Sequence, residues 1–254
     1  MAHLIFLGTG TSTGVPQIGC TCEVCISTDV HDKRLRTSVL FETNSGERLL
    51  FDCGPDFRQQ MLRLPFKPID AVFISHHHYD HVGGIDDLRP FSVANDINIY
   101  TNSICAADMH RRIDYCFFKQ KYPGVPNLLL HEVSKDETVQ VKETIVQPIE
   151  VMHGKLPIFG FRVGTFAYIT DMTTISDVEK QKLTGVETLV VNALRMQPHP
   201  THQGLPQALS LINDVHPKRS FLIHMSHQMG LHEKVQALLP DNVYLAYDGL
   251  EVTF

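Results

Sequence analysis

Short apolar runs separated by polar turns dominate this chain. Residues 4–7 (LIFL) read as a first strand that stops at the glycine-rich stretch 8–14. Strand-like runs at 37–42 and 48–52 flank Asn44, Ser45 and Gly46, the signature of a hairpin. The period changes to a helical one over 56–64, where Asp56 is available as an N-cap. Residues 69–75 are again a continuous apolar run and predict a buried strand. Further strands are predicted at 144–151, 158–163, 166–170, 188–192, 220–224, 243–247 and 250–254, and helices at 106–112 and 205–215. No linker, low-complexity tract or charge block interrupts the 254 residues, so the expectation is one α/β (α+β) domain spanning 1–254. Residues 100–125 stand apart, because a helix there runs into an aromatic and basic stretch at 115–122. This segment reads either as a packed helical insertion or as a lid or wall over a site.

The polar residues that break this pattern fall just past strands. His76, His78, Asp80 and His81 lie in the run HHHYDH directly after the 69–75 strand. Three imidazoles and a carboxylate so close together are hard to explain as packing. His76 and His78 alternate on an extended chain and can point the same way. Val82, Gly83 and Gly84 permit a tight turn, and Asp80 and His81, near its start, can face a second ion. Nitrogen and oxygen donors without a cysteine suit Zn²⁺ or Mn²⁺. His153, Asp171 and His224 each follow a predicted strand, where α/β sheets place their chemistry. His76, His78 and His153 can hold one ion, and Asp80, His81 and His224 another. Asp171 can bridge them, since a carboxylate has two oxygens. Two divalent ions about 3.5–4 Å apart lower the pKa of a bridging water towards about 7, which makes a hydroxide nucleophile at neutral pH. The same charges stabilise an anionic transition state. The reaction class is metal-assisted hydrolysis of an ester, amide, phosphodiester or thioester. His77 and Tyr79 are expected to face away from the ions, and Asp52 to hydrogen-bond a ligand histidine or fix a turn.

Composition narrows the setting. With 43% hydrophobic and 20% charged residues, the chain can bury a sizeable core. A net charge of −6 argues against a nucleic-acid partner but leaves a small phosphorylated substrate open. No run approaches the roughly 20 apolar residues of a membrane span. The apolar start is too short for a signal peptide and lacks a basic end, so the expected location is the cytoplasm. Disulfides are then not expected, and Cys20, Cys22 and Cys25, packed into six residues, point to a metal. Cys53, Cys105 and Cys116 read as small buried hydrophobes.

These motifs resemble the metallo-β-lactamase superfamily. Its HxHxDH signature stands here as His76, His78, Asp80 and His81, and His153, Asp171 and His224 occur in the family's order. The resemblance implies an αββα sandwich of two mixed sheets with the metals at one edge between them. Within that superfamily the chain is similar to the bacterial phosphonate-utilisation phosphodiesterases, which act on phosphoribosyl cyclic phosphates. The likeness covers residues 8–16, 19–25, 224–228 and 247–251. It implies a structural zinc on Cys20, Cys22, Cys25 and His227, a closed Cys₃His set whose thiolates select Zn²⁺. It also implies His202 as general acid, a task suited to a near-neutral pKa, with Asp80 counted beside it among the catalytic residues. His199 is a rival by position alone.

The expected activity is that of a metal-dependent phosphodiesterase for a small, cyclic sugar or nucleotide phosphodiester. A hydroxide bridging the two metals attacks phosphorus and His202 protonates the leaving oxygen. Alternatives are a tRNA 3′-processing endoribonuclease, disfavoured by the acidic charge and the early cysteines, and a thioesterase or lactonase on the same scaffold. Should the chain associate, a homodimer is the default. Arg34, Arg36, Arg89, Arg111, Arg112 and Arg195 are candidates for phosphate contact. The backbone of residues 8–10 either cradles a phosphate or makes a tight turn.

Overall fold

Alternation along each strand decides which layer a residue joins. In β1 (His3–Gly8), Leu4 and Phe6 point to one core while Ile5 and Leu7 point to another. Both faces are buried, and this is why the strands read as continuous apolar runs. The computed structural model describes residues 1–118 and 123–254. A one-turn α1 (Glu23–Ile26) follows β1 and precedes the hairpin β2 (Ser38–Glu42) and β3 (Arg48–Phe51). Next come α2 (Phe57–Met61), β4 (Ala71–Phe73), α3 (Tyr79–Val82), β5 (Ile97–Thr101), α4 (Ser103–Arg112) and β6 (Leu128–Glu132). The second half holds β7 (Val139–Val141), β8 (Thr144–His153), β9 (Leu156–Val163), β10 (Phe166–Ile169) and α5 (Asp177–Gln181). It continues with β11 (Thr188–Asn192), α6 (Leu205–Val215), β12 (Arg219–Ile223), α7 (His232–Gln236), β13 (Val243–Leu245) and β14 (Glu251–Thr253).

Among the described residues, one seven-stranded sheet has the order β14-β1-β2-β3-β4-β5-β6 and the other β13-β12-β11-β10-β9-β8-β7. Each half runs antiparallel up to β3 or β10 and parallel beyond it. The C-terminal strand β14 returns to the first sheet, with Val252 opposite Leu4. Between the sheets lies an aromatic core in which Phe41 stacks on Phe166 at 4.8 Å and Phe51 meets Phe73, Phe161 and Tyr168. Each fully buried large side chain of this kind contributes about 1.5–3 kcal/mol. The helices cover the two outer faces, giving the expected αββα sandwich of mixed sheets, the metallo-β-lactamase fold. No described helix is long and apolar enough to cross a membrane.

Some local expectations shift. The helix predicted over 56–64 is regular only over Phe57–Met61, and Asp56 does not cap it. Its carboxylate instead accepts from the Arg36 backbone N–H at 2.8 Å and pairs with the Arg36 guanidinium at 3.0 Å. Three strands went unread. β5 carried a legible alternation, whereas β7 is a three-residue edge too short for a period. Within 100–125, α4 is a packed layer: Asn102 caps it through Cys105 N–H, and Cys105 and Met109 enter the outer core of the first sheet. Residues 119–122 of the aromatic, basic stretch lie outside the described residues.

Candidate metal centre

The strand ends of both sheets deliver polar side chains to one rim. Beyond β4 the chain bends at His77 and His78, and His76 and His78 project together, with Nε2 of the first 2.9 Å from Nδ1 of the second. The turn after His78 is a single helical turn, α3. It rolls Asp80 and His81 inward and leaves Tyr79 at the surface. His153 ends β8, Asp171 lies two residues past β10 and His224 one past β12. Asp52, Asp171 and His224 adopt left-handed backbone, with φ of 60°, 54° and 56°. Such conformations cost about 1–3 kcal/mol each for residues other than glycine and persist where surrounding structure imposes them.

Donor atoms of His76, His78 and His153 lie within 4.8 Å of one another, as do those of Asp80, His81 and His224. Asp171 clusters with donors of both groups, with His76 and His81 in one set and with His153 and His202 in another. One oxygen is 3.1 Å from His81 Nε2 and the other 3.2 Å from His224 Nε2. The seven side chains predicted from sequence are therefore together at one site. The donor set fits divalent cations on two grounds. His81 Nε2 is fully buried, aimed at Asp80 and Asp171, and makes no hydrogen bond. Burial opposes a charged His81, yet Asp80, Asp52 and Asp171 outweigh it and push its pKa well above the ordinary value. Burial likewise opposes ionised Asp80 and Asp171, but the neighbouring imidazoles hold both carboxyls well below the usual range. The pocket favours positive charge.

His202 lies against this group, 14% exposed, with Nε2 2.9 Å from Asp171 Oδ1. Its ring stacks on His224 and meets His153 edge-on. Burial lowers its pKa, against the pull of Asp171. His199 stands behind it, Nδ1 to Nδ1 at 3.4 Å, and touches Thr201 rather than the donor group.

The cysteines gather as a second cluster. Cys22 is the N-cap residue of α1 and Cys25 lies within it, Cys20 precedes it, and His227 brings Nδ1 to 3.2 Å from Cys22 Sγ and 3.6 Å from Cys20 Sγ. All four donors lie within 4.8 Å of one another. The Cys25 backbone N–H chiefly lowers the Cys22 thiol to about 6, so this sulfur is readily a thiolate, while burial pushes Cys25 up to about 11. The donors are soft and the set is complete for tetrahedral zinc.

The six arginines are engaged within the protein. Arg34 is buried and bonds Thr9 Oγ1 and the Ala246 carbonyl, Arg36 pairs with Asp56, Arg89 with Asp86, and Arg111 and Arg112 with Asp108. Arg195 ties the carbonyls of Gln197 and Pro198 into the loop that carries His202. The amides of Thr9 and Gly10 are also taken, by Asp248 Oδ1 and the Leu35 carbonyl, so this stretch is a structural turn rather than a phosphate cradle.

Four supporting residues escaped the sequence reading. Ser75 and Tyr168 both bond Asp52, Thr170 Oγ1 donates to Asp171 Oδ2 at 2.7 Å, and the Thr201 carbonyl accepts from His153 Nδ1 at 2.7 Å. Tyr168 did leave a signal, a hydroxyl-bearing ring inside the otherwise apolar strand FAYI.

Residues 47–225 match the beta-lactamase superfamily domain. The chain is 45% identical over 248 residues to a Porphyromonas gingivalis protein called Octanoyltransferase, covering 97% of this chain and 50% of that one. It therefore spans about half the length of that relative. Among solved structures it is similar to a diphosphatase from the PhnP family, at 37% identity, TM-score 0.92 and coverage of 100% and 98%. The Zn²⁺-bound PqqB of Methylobacterium extorquens superposes with a TM-score of 0.78 at 18% identity, covering 99% of this chain and 100% of that one. The short form of human tRNase Z superposes at 0.71 and 20% identity, covering 99% and 98%. The last two share the fold.

Proposed function

The chain belongs to the beta-lactamase superfamily, and from that premise we propose that it is a metal-dependent phosphodiesterase for a small, cyclic sugar or nucleotide phosphodiester. The observation that carries the reading is the meeting of seven nitrogen and oxygen donor residues, Asp171 among them, with the His202 imidazole directed at that carboxylate. His76, His78 and His153 would hold one ion and Asp80, His81 and His224 the other, with Asp171 available to both. When bound, the two divalent ions, zinc or manganese, supply Lewis acidity and lower the pKa of water towards about 7. The remaining steps belong to the chain. The Nδ1–H of His153 is spent on the Thr201 carbonyl, which leaves its Nε2 free as a donor. His202 carries its proton on Nε2, the atom facing the donor cluster, and passes it to the departing alkoxide. An anionic substrate beside His202 opposes the burial that lowers its pKa, favouring the protonated form when it is needed. Cys20, Cys22, Cys25 and His227 hold a structural zinc that fixes the loop after His224.

A second reading, cleavage of a diphosphate linkage, is favoured by the diphosphatase name of the 37% identical structure. The octanoyltransferase name belongs to a protein of which this chain spans half, and it motivates a thioester control. The deciding assay offers metal-quantified protein a ribose cyclic phosphate, a 2′,3′-cyclic nucleotide, a diphosphate diester, a precursor tRNA, an acyl thioester and a lactone. Turnover of the cyclic phosphates with the thioester and lactone inert supports the reading. Preference for the diphosphate moves it to the second, and thioester or lactone turnover alone overturns both.

A further inference from the structure

His202 is carried by a loop, residues 195–204, that closes on itself. At its neck the Leu194 N–H donates to the Gln203 carbonyl at 2.9 Å and the Leu205 N–H to the Arg195 carbonyl at 2.8 Å. The return limb is anchored at Thr201, whose carbonyl accepts from His153 Nδ1 at 2.7 Å and from the Thr173 hydroxyl. The outgoing limb, 196–200, cannot anchor itself in the same way. Pro198 and Pro200 have no N–H to give. Among the described residues, the Gln197 and Pro198 carbonyls find one donor group, the Arg195 guanidinium. Nε reaches Gln197 O at 3.3 Å and Nη2 reaches Pro198 O at 2.7 Å. Nη1 donates to Gln228 Oε1 at 3.2 Å, next to His227. The limbs touch at Gly204, where an added Cβ would stand 2.5 Å from the Gln197 carbonyl oxygen. A shift of that carbonyl therefore presses on the return limb two residues from His202.

We propose that Arg195 is the positioning residue of the acid step. Its guanidinium braces the outgoing limb and through it aims the His202 imidazole at the departing oxygen, while Gln228 ties the brace to the segment that carries His227. The proposal rests on the reading of His202 as general acid.

A guanidinium suits this brace better than an ammonium. Its planar fork meets three acceptors on three separate nitrogens, whereas a lysine offers one point of charge on a flexible stem. The Arg195 side chain bonds none of the seven donor residues. Its loss should therefore leave the ions in place and fall on proton delivery. A misplacement of about 1 Å, caused away from the chemistry, can cost roughly 10²-fold in rate.

Metal-loaded wild type, Arg195→Ala, Arg195→Lys, His202→Ala and the double variant are compared on an alkyl phosphodiester and on bis-p-nitrophenyl phosphate, with bound metal and Tm measured beside the rates. Arg195→Ala should lower kcat on the alkyl diester by roughly 10–100-fold. KM and metal content should hold, and the aryl diester should lose far less. Arg195→Lys should not restore the rate. Because the brace acts through His202, adding Arg195→Ala to His202→Ala should cost nothing more. Equal losses on both substrates, additive losses in the double variant, or full rescue by lysine overturns the proposal. His202→Ala separates the two readings. If it shows no leaving-group bias, the acid role falls and this inference with it; if it does and Arg195→Ala does not, only the inference falls. Should Arg195→Ala fail to fold, Arg195→Lys decides, and wild-type turnover of the alkyl diester by that variant overturns the proposal.

Discussion

His202 Nε2 lies 2.9 Å from Asp171 Oδ1, and only the imidazole of this pair reaches solvent, 14% exposed against 2%. A proton can thus be renewed from outside and delivered beside the carboxylate available to both candidate ion sites. His202→Ala should lower kcat/KM for alkyl phosphodiesters by roughly 10²–10⁴-fold. Bis-p-nitrophenyl phosphate, whose leaving group needs little protonation, should lose far less. Equal losses on the two substrates, measured as steady-state rates, would remove His202 from the acid role.

The cysteine cluster predicts a separable effect. Cys22→Ser should release one zinc and lower Tm by roughly 5–10 °C, since about 1 kcal/mol moves Tm by roughly 2–4 °C in a chain of this size. The two ions at the His and Asp donors should remain. Metal analysis beside calorimetry checks this, and a Cys22→Ser protein that binds every metal with unchanged Tm contradicts the structural-zinc assignment.

Glu47 gives a pH prediction away from the site. Ser45 and Thr43 hydroxyls, with the Glu143 amide, lower its carboxyl from the ordinary 4.5 to about 2, and burial opposes them. The contacts tie the β2–β3 turn to the β7–β8 turn. A depressed carboxyl pKa stabilises the fold above its unfolded value and loses that contribution as pH falls through the folded one. The window here runs from about 4.5 down to about 2. The Tm advantage of wild type over Glu47→Gln should therefore shrink across that window. A pH-independent gap would refute the account.

The donor residues were legible because their chemistry conflicts with their setting. His76, His78, Asp80 and His81 interrupt an apolar run, and His153, Asp171 and His224 sit where strands end. The sandwich was legible in the strand runs and in the family likeness. What surrounds the donors was hidden. Ser75 and Tyr168 are ordinary residues in strand context, and their role exists only because the fold brings residues 52, 75, 81 and 168 together. Asp56 misled for the same reason: an N-cap pattern is local, while its partner Arg36 lies 20 residues away. β7, three residues at a sheet edge, carried too little periodicity to show.

The most direct test of the central claim compares wild type with Asp171→Ala in bound-metal content and in hydrolysis of a ribose cyclic phosphate. Asp171 clusters with donors of both groups, with His76 and His81 in one set and with His153 and His202 in another. Two non-cysteine ions with turnover in wild type, and the loss of at least one ion together with turnover in the variant, is the predicted result. An Asp171→Ala protein that keeps both ions and full activity would contradict the dinuclear site.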